Sequence, residues 1–176
     1  MEIVAMYIIG VTRSSDDVLT GYLLWRVTTK WRAAVDRAVA PVGLTHAQYS
    51  LLASLYGLSL KGAQPSQREL ADFAGLEAIY VSKLVRALEK AGLVGRGVHP
   101  ADPRAVQLTL TEQGAEVVRQ AMEIVHTLHD DLTAPIGGTA GTENRELVRT
   151  LRALLGRGPR PDHTKAGVNP CPQPPP

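Results

Sequence analysis

Between Pro65 and Thr111 the chain reads PSQRELADFAGLEAIYVSKLVRALEKAGLVGRGVHPADPRAVQLTLT, and its hydrophobic period switches there from helical to alternating. Few folds accommodate that switch within so short a stretch. Ser66 followed by Glu69 is a capping box, in which each side chain satisfies a backbone donor left orphaned at a helix start. The helix it opens is short, with Leu70 and Phe73 as its large apolar anchors and Ala71 and Ala74 permitting close approach. Gly75 stops it, since glycine takes the left-handed turn at little cost. A second helix is predicted from about Glu77 to Ala91. Val81, Leu84, Val85 and Leu88 stand at i, i+3, i+4 and i+7, a stripe that must face a core. Tyr80, Ser82, Lys83, Arg86 and Lys90 point away from it, and Gly92 ends the helix. Leu93–Val98 and Ala105–Leu110 are β-prone, and the six residues His99–Arg104, with two prolines and an aspartate, suit a hairpin loop. Val106, Leu108 and Leu110 alternate with Gln107 and Thr109, as in a half-buried strand.

Helix, turn, helix and hairpin in that order describe a winged helix-turn-helix. The expected fold class is mainly α with a small β-hairpin wing. The shape suits laying one helix and one hairpin against a DNA duplex.

The flanks extend the helical pattern. A long helix is expected over about Asp17–Ala40, with Leu23, Val27, Trp31 and Val35 at i+4 steps, broken by Pro41 and Gly43. Thr45 and Gln48 form another capping box before Leu51, Leu52 and Leu55. After the hairpin, Thr111 is placed to cap a helix running toward Thr133, with Val117, Ala121, Ile124, Leu128 and Leu132 forming a seam suited to another helix. Pro135 and Gly137–Gly141 end it. A last helix over Thr142–Leu155 repeats the spacing at Leu147, Leu151 and Leu154.

From about Asp17 to Leu155 the chain resembles the multiple-antibiotic-resistance-regulator (MarR) family of bacterial transcription factors. The resemblance is carried by Gly43-Leu44-Thr45 with Gln48 and Leu51-Leu52, by Gln67-Arg68-Glu69-Leu70-Ala71, and by Leu84 through Val94. The wing signature is Asp102-x-Arg104, followed by Leu108-Thr109-Leu110-Thr111 and Gly114. The resemblance implies a homodimer made by helices 17–40 and 112–155, with the DNA-reading part at 45–111. Two recognition helices would then lie about 34 Å apart in successive major grooves of a palindromic operator. It implies that the wing arginine, Arg104, enters the minor groove, where focused negative potential attracts it, and that Asp102 orients it. An exposed Asp102–Arg104 pair with no such role would contribute under about 1 kcal/mol.

Tyr80, Ser82, Lys83 and Arg86 are the candidates for base or phosphate contact. Tyr80 and Lys83 stand where the family leads one to expect a small hydroxyl and an arginine, so no base preference transfers. Gln67 and Arg68 open the preceding helix, where phosphate contacts often arise; ordinary surface polarity is the alternative. Arg96 is expected to support the wing's backbone contact. In the family, aromatic acids and phenols bind between the dimer helices and the reading head, so a small aromatic or phenolic effector is expected, and Trp31, His46 and Tyr49 fall in that region. Aromatics at helical spacing also serve as core. No cofactor is implied.

Composition decides little. A chain of 176 residues can bury one substantial core. A net charge of +2 would never by itself suggest nucleic acid. Residues 64–111 hold six Lys/Arg against five Asp/Glu, whereas residues 112–155 hold four against seven, so the acidic helices are not expected to touch phosphate. Residues 1–16 are expected to form an N-terminal arm, whose apolar stretch Met1–Val11 is too short to span a bilayer and lacks the basic start of a signal peptide. Residues 156–176, rich in Gly and Pro, are expected to be disordered. The single cysteine, Cys171, lies there, so peroxide sensing through a cysteine near the N-terminal helix, as some family members do, is not expected. With no export segment or membrane span, the expected location is the cytoplasm.

Three competing readings are testable. His126 and His129, at i and i+3 beside Asp130 and Asp131, could begin a zinc site in a metal-sensing regulator, but zinc needs about four ligands. A winged helix can also bind protein without binding DNA. An enzyme is not expected, for no phosphate-cradling glycine loop, nucleophile elbow or paired-carboxylate signature is present. Glu112, Glu116 and Glu123 read as solvated helix charges.

Overall fold

A computed structural model describes residues 15–99 and 102–156. The described chain is helical apart from one hairpin: α1 (Ser15–Val39), α2 (His46–Ser59), α3 (Gln67–Ala74), α4 (Ala78–Lys90), β1 (Val94–His99), β2 (Asp102–Leu110), α5 (Glu112–Thr133) and α6 (Thr142–Gly156). Short 3-10 turns at Ala40–Val42 and Ala134–Ile136 follow α1 and α5. Contacts divide the described residues at Leu128/His129 into two units.

In the first unit, local chemistry sets each boundary. The Thr45 hydroxyl accepts the Gln48 N–H (3.3 Å) while the Gln48 side chain accepts the Thr45 N–H (2.9 Å). Ser66 and Glu69 repeat the arrangement at 3.2 and 2.7 Å. Each box ties down donors that would otherwise lack partners in the first turn. Gly75 adopts φ 64°, the left-handed conformation that closes the α3–α4 turn. Glu77 precedes α4 without a side-chain cap. Thr111 caps α5 by accepting the Gly114 N–H at 2.9 Å and donates its hydroxyl to the Gly92 carbonyl at 2.7 Å. A Cβ on Gly114 would lie 2.0 Å from the Leu93 carbonyl oxygen, so only glycine lets α5 start this close to the wing.

One core joins these pieces. Val35 and Val39 of α1, Leu51, Leu52 and Leu55 of α2, Leu70 and Ala71 of α3, and Val81, Val85 and Leu88 of α4 are buried together with Leu93, Val94 and Leu108 of the wing. Leu84 is half-buried against that cluster. The strands pair antiparallel from Val94↔Leu110 to Val98↔Val106. The segment before α3 adds to the sheet, for Leu108 donates its N–H to the Pro65 carbonyl (2.9 Å) and Ser66 bridges Gln107.

Several expectations are corrected. Phe73 is 59% exposed, because Leu70, Ala71 and Ala74 already form the inner face of α3 and Phe73 falls on its flank. The six-residue hairpin loop is shorter, since β2 begins at Asp102, which pairs with His99 across an irregularity after Val98. Pro103 is accommodated there because edge and bulge positions need no ladder donor. On α5 the fully buried face is Gly114, Val118, Ala121 and Val125; of the expected seam Ala121 belongs to it, while Val117, Ile124, Leu128 and Leu132 are half-buried. The long helix begins at Ser15, within the expected arm, and its stripe splits: Val35 is buried and Trp31 half-buried, while Leu23 and Val27 are 48% and 61% exposed.

The second unit is a helical turn followed by α6. Thr133 donates to the His129 carbonyl (2.7 Å), and Thr139 donates to the Asp130 carboxylate. The Arg145 guanidinium donates to the Ala140 carbonyl and the Thr142 hydroxyl, both at 2.9 Å, locking the start of α6. No residue of α6 is buried. The expected arm (apart from Ser15 and Asp16) and the Gly/Pro-rich tail beyond Gly156, with Cys171, lie outside the described residues.

Candidate nucleic-acid interface

Burial of Val81, Val85 and Leu88 fixes the rotation of α4 about its own axis. At about 100° per residue, Lys83, Arg86 and Lys90 then fall on the opposite face, and all three are exposed. Ser82 is half-buried on one edge of that face, and Tyr80, 41% exposed, lies on the other. Gln67 is half-buried and Arg68 exposed at the first turn of α3. Arg68 and Tyr80 line one open cleft of about 670 Å³ with Gly75 between the two helices. Asp72 and Glu77 line it as well, so the cleft offers no net positive charge to a phosphate.

The wing is fastened to α4. The Arg96 guanidinium donates to the Glu89 carboxylate at 3.2 Å, a partly exposed ion pair between β1 and the last turns of the helix. Through this pair Arg96 braces the wing against α4. Sequence reasoning missed Glu89, whose signal would have been its place beside the wing on the α4 wheel. A second fastening, Gln107 to Gln64 at 2.8 Å, ties β2 to the chain entering α3.

At the wing end, the Asp102 carboxylate accepts the Arg104 backbone N–H at 2.9 Å. This i to i+2 bond shapes the main chain where Arg104 leaves the hairpin. The Arg104 side chain is exposed. Asp102 thus acts on the backbone of its neighbour, and α4 and the wing present Lys83, Arg86 and Arg104 on exposed surface of a single unit.

Electrostatics single out three groups. The Ser66 backbone N–H, followed by the Ser66 side chain, holds the Glu69 carboxyl below its ordinary value. Burial lowers the His46 imidazole pKa and the nearby Arg32 charge adds to the shift, while Asp36 opposes both. Burial raises the Tyr49 phenol. The His46 backbone N–H donates to Asp36 at 2.5 Å, tying α2 to α1. Trp31 and Tyr49 pack against the core from this junction. Neither this open cleft nor a cavity of about 340 Å³ between α2, β2 and the start of α5 is lined by Trp31, His46 or Tyr49. Among the described residues, no group of three or more His, Cys, Asp and Glu is placed to hold a metal ion, and His126 and His129 acquire no third ligand of those types.

The MarR family model matches residues 44–106, which contain every candidate DNA-contacting residue. The HTH-type transcriptional regulator YdcH of Bacillus subtilis is 39% identical over 142 residues, covering 81% of this chain and 93% of that protein. The chain belongs to the MarR family. As a MarR-family protein it is a transcriptional regulator and not an enzyme. Among solved structures, the repressor CouR bound to a 23-mer DNA duplex superposes with TM-score 0.66 at 32% identity, over 78% of this chain and 92% of CouR. CouR from Rhodococcus jostii has also been solved with p-coumaroyl-CoA (TM-score 0.63, 28% identity, 77% and 88% covered). A mutant MarR from E. coli complexed with operator DNA gives TM-score 0.70 at 26% identity, over 80% and 96% of the two chains. The MarR-family fold here is the mainly helical winged helix-turn-helix expected from the sequence.

Proposed function

We propose that this MarR-family regulator is a repressor that binds a palindromic operator as a homodimer and releases it on binding a small aromatic or phenolic effector. The carrying observation is the exposed basic face of α4 held beside an arginine-bearing wing by the Arg96–Glu89 pair. Lys83, Arg86, Ser82 and Tyr80 are assigned to the major groove, Arg104 to the minor groove, and Gln67 and Arg68 to flanking phosphates. Asp102 and Arg96 are assigned to holding the wing in shape. DNA-bound CouR and MarR, both of the same fold, support the assignment.

The domain division that fits this reading places DNA contact in residues 45–111 and association in residues 17–40 and 112–155. Exposed Leu19, Leu23, Trp25 and Val27 on α1, with Leu147 and Leu154 on α6, supply apolar surface that a second copy would cover. The effector is assigned to the α1–α2 junction at Trp31, His46 and Tyr49, where rings and a titratable edge suit a phenol; the p-coumaroyl-CoA complex of CouR supports a ligand of aryl character. Relief of repression requires the effector to favour the state that does not bind DNA. No helix of the described residues is long and apolar enough to cross a membrane, and the cytoplasm is the proposed location.

A mobility-shift titration of the full chain against DNA upstream of its own gene tests the proposal. The parent should form a discrete complex, and Lys83→Ala with Arg86→Ala should abolish it while leaving the fold intact. A parent that retards no duplex at low salt, or a double variant that binds like the parent, would sink the reading. In the first case, a winged helix recognising protein would take its place.

A further inference from the structure

One residue on the exposed face of α4 has no part in folding. Ile79, the second residue of the helix, is 77% exposed, more than any other described large apolar residue except Leu155 near the described C-terminal end. On the helical wheel it lies almost opposite the buried Val81–Val85–Leu88 stripe. It falls within about 60° of Lys83, Arg86 and Lys90. An isoleucine there contributes little burial, and its branched Cβ makes it a weaker helix former than the Ala, Lys or Glu that surface positions favour.

A duplex offers one apolar feature in its major groove, the C5-methyl group of thymine. Polar and charged neighbours on this face can address phosphates and base edges, whereas an exposed apolar side chain complements that methyl. Resting on the operator-binding reading above, we propose that Ile79 is a specificity-determining residue that packs on a thymine methyl in each half-site. It gives the protein a preference for thymine that Lys83 and Arg86 cannot supply.

The test removes the methyl alone. Tight-binding duplexes are first selected from a randomised pool with the full-length parent, and each thymine is then replaced singly by deoxyuridine. At one position in each half-site the parent should bind about fourfold more weakly, the effect of losing one buried methyl. Ile79→Ala, whose helix content is checked by circular dichroism, should bind thymine and deoxyuridine equally there, and Ile79→Val should keep part of the preference. A parent indifferent to every replacement, or an Ile79→Ala variant with the parent's thymine preference, would overturn the inference while leaving operator binding standing. A parent that selects no duplex would instead remove the operator-binding reading, and this inference with it.

Discussion

The reading head and the terminal helices solve burial in opposite ways. From α2 to β2 most of the apolar residues at helical or alternating spacing converge on one core, where Leu52 and Leu108 are each 0% exposed, with Phe73, Ile79 and Val98 left outside it. On the N-terminal half of α1 and along α6, leucines at the same helical spacings stay on the surface; Leu23, Leu147 and Leu154 are 48%, 44% and 51% exposed. Identical sequence patterns therefore have different consequences. In the head the partner surface lies within the same chain, whereas on the terminal helices these side chains are left for the proposed second copy to cover. Head stability should consequently be a property of one chain, and association a property of the terminal helices.

The contrast is most severely tested by Leu52→Ala. Removing a fully buried leucine should destabilise the protein by about 2–5 kcal/mol, read from chemical denaturation at fixed protein concentration. A loss below about 1 kcal/mol would mean that the head core collapses around the gap more easily than its packing suggests. Leu147→Glu should leave the head folded but weaken self-association by about 1.5–3 kcal/mol per side chain covered, seen by sedimentation. An unchanged association constant would remove α6 from the interface.

Ser66→Ala should cost about 1 kcal/mol, because the α3 cap lies at the junction of helix and sheet and its loss strands the Glu69 N–H. The subtlest effect concerns acid. Hydrogen bonding from Ser66 depresses the folded Glu69 pKa, so this group's stabilisation is present above its ordinary value of 4.5. It is lost as pH falls from there through the folded value. Glu69→Gln should therefore flatten the acid limb of a denaturation-midpoint curve below about pH 4.5 and leave the neutral region nearly parallel to the parent.

Much of the fold was legible because its signals are local. Both capping boxes, the Gly75 turn, the α4 stripe and the Thr111 cap depend on residues close in sequence, and the structure places each of them as expected. The parts that were not legible depend on three-dimensional partners. Phe73 looks like a core residue until Leu70 and Ala71 are seen to fill the inner face of α3. On α5 the Val118–Val125 face could not be preferred over Val117 and Ile124 without knowing which side meets the head. At the site, Lys83, Arg86 and Arg104 were readable as exposed cations. The pairing of Arg96 with Glu89, and of the Asp102 carboxylate with the Arg104 backbone, required coordinates.

The proposed operator complex requires α4 and the wing together to bring their cations into the grooves of one duplex, displacing counterions from it. Its most direct test is the salt dependence of binding to the upstream duplex, followed by fluorescence anisotropy for the parent and Arg104→Ala. The parent's log affinity should fall steeply and linearly with log salt, and the variant should bind more weakly with a slope shallower by about one for each wing arginine removed. A variant that matches the parent in both affinity and slope would contradict the account.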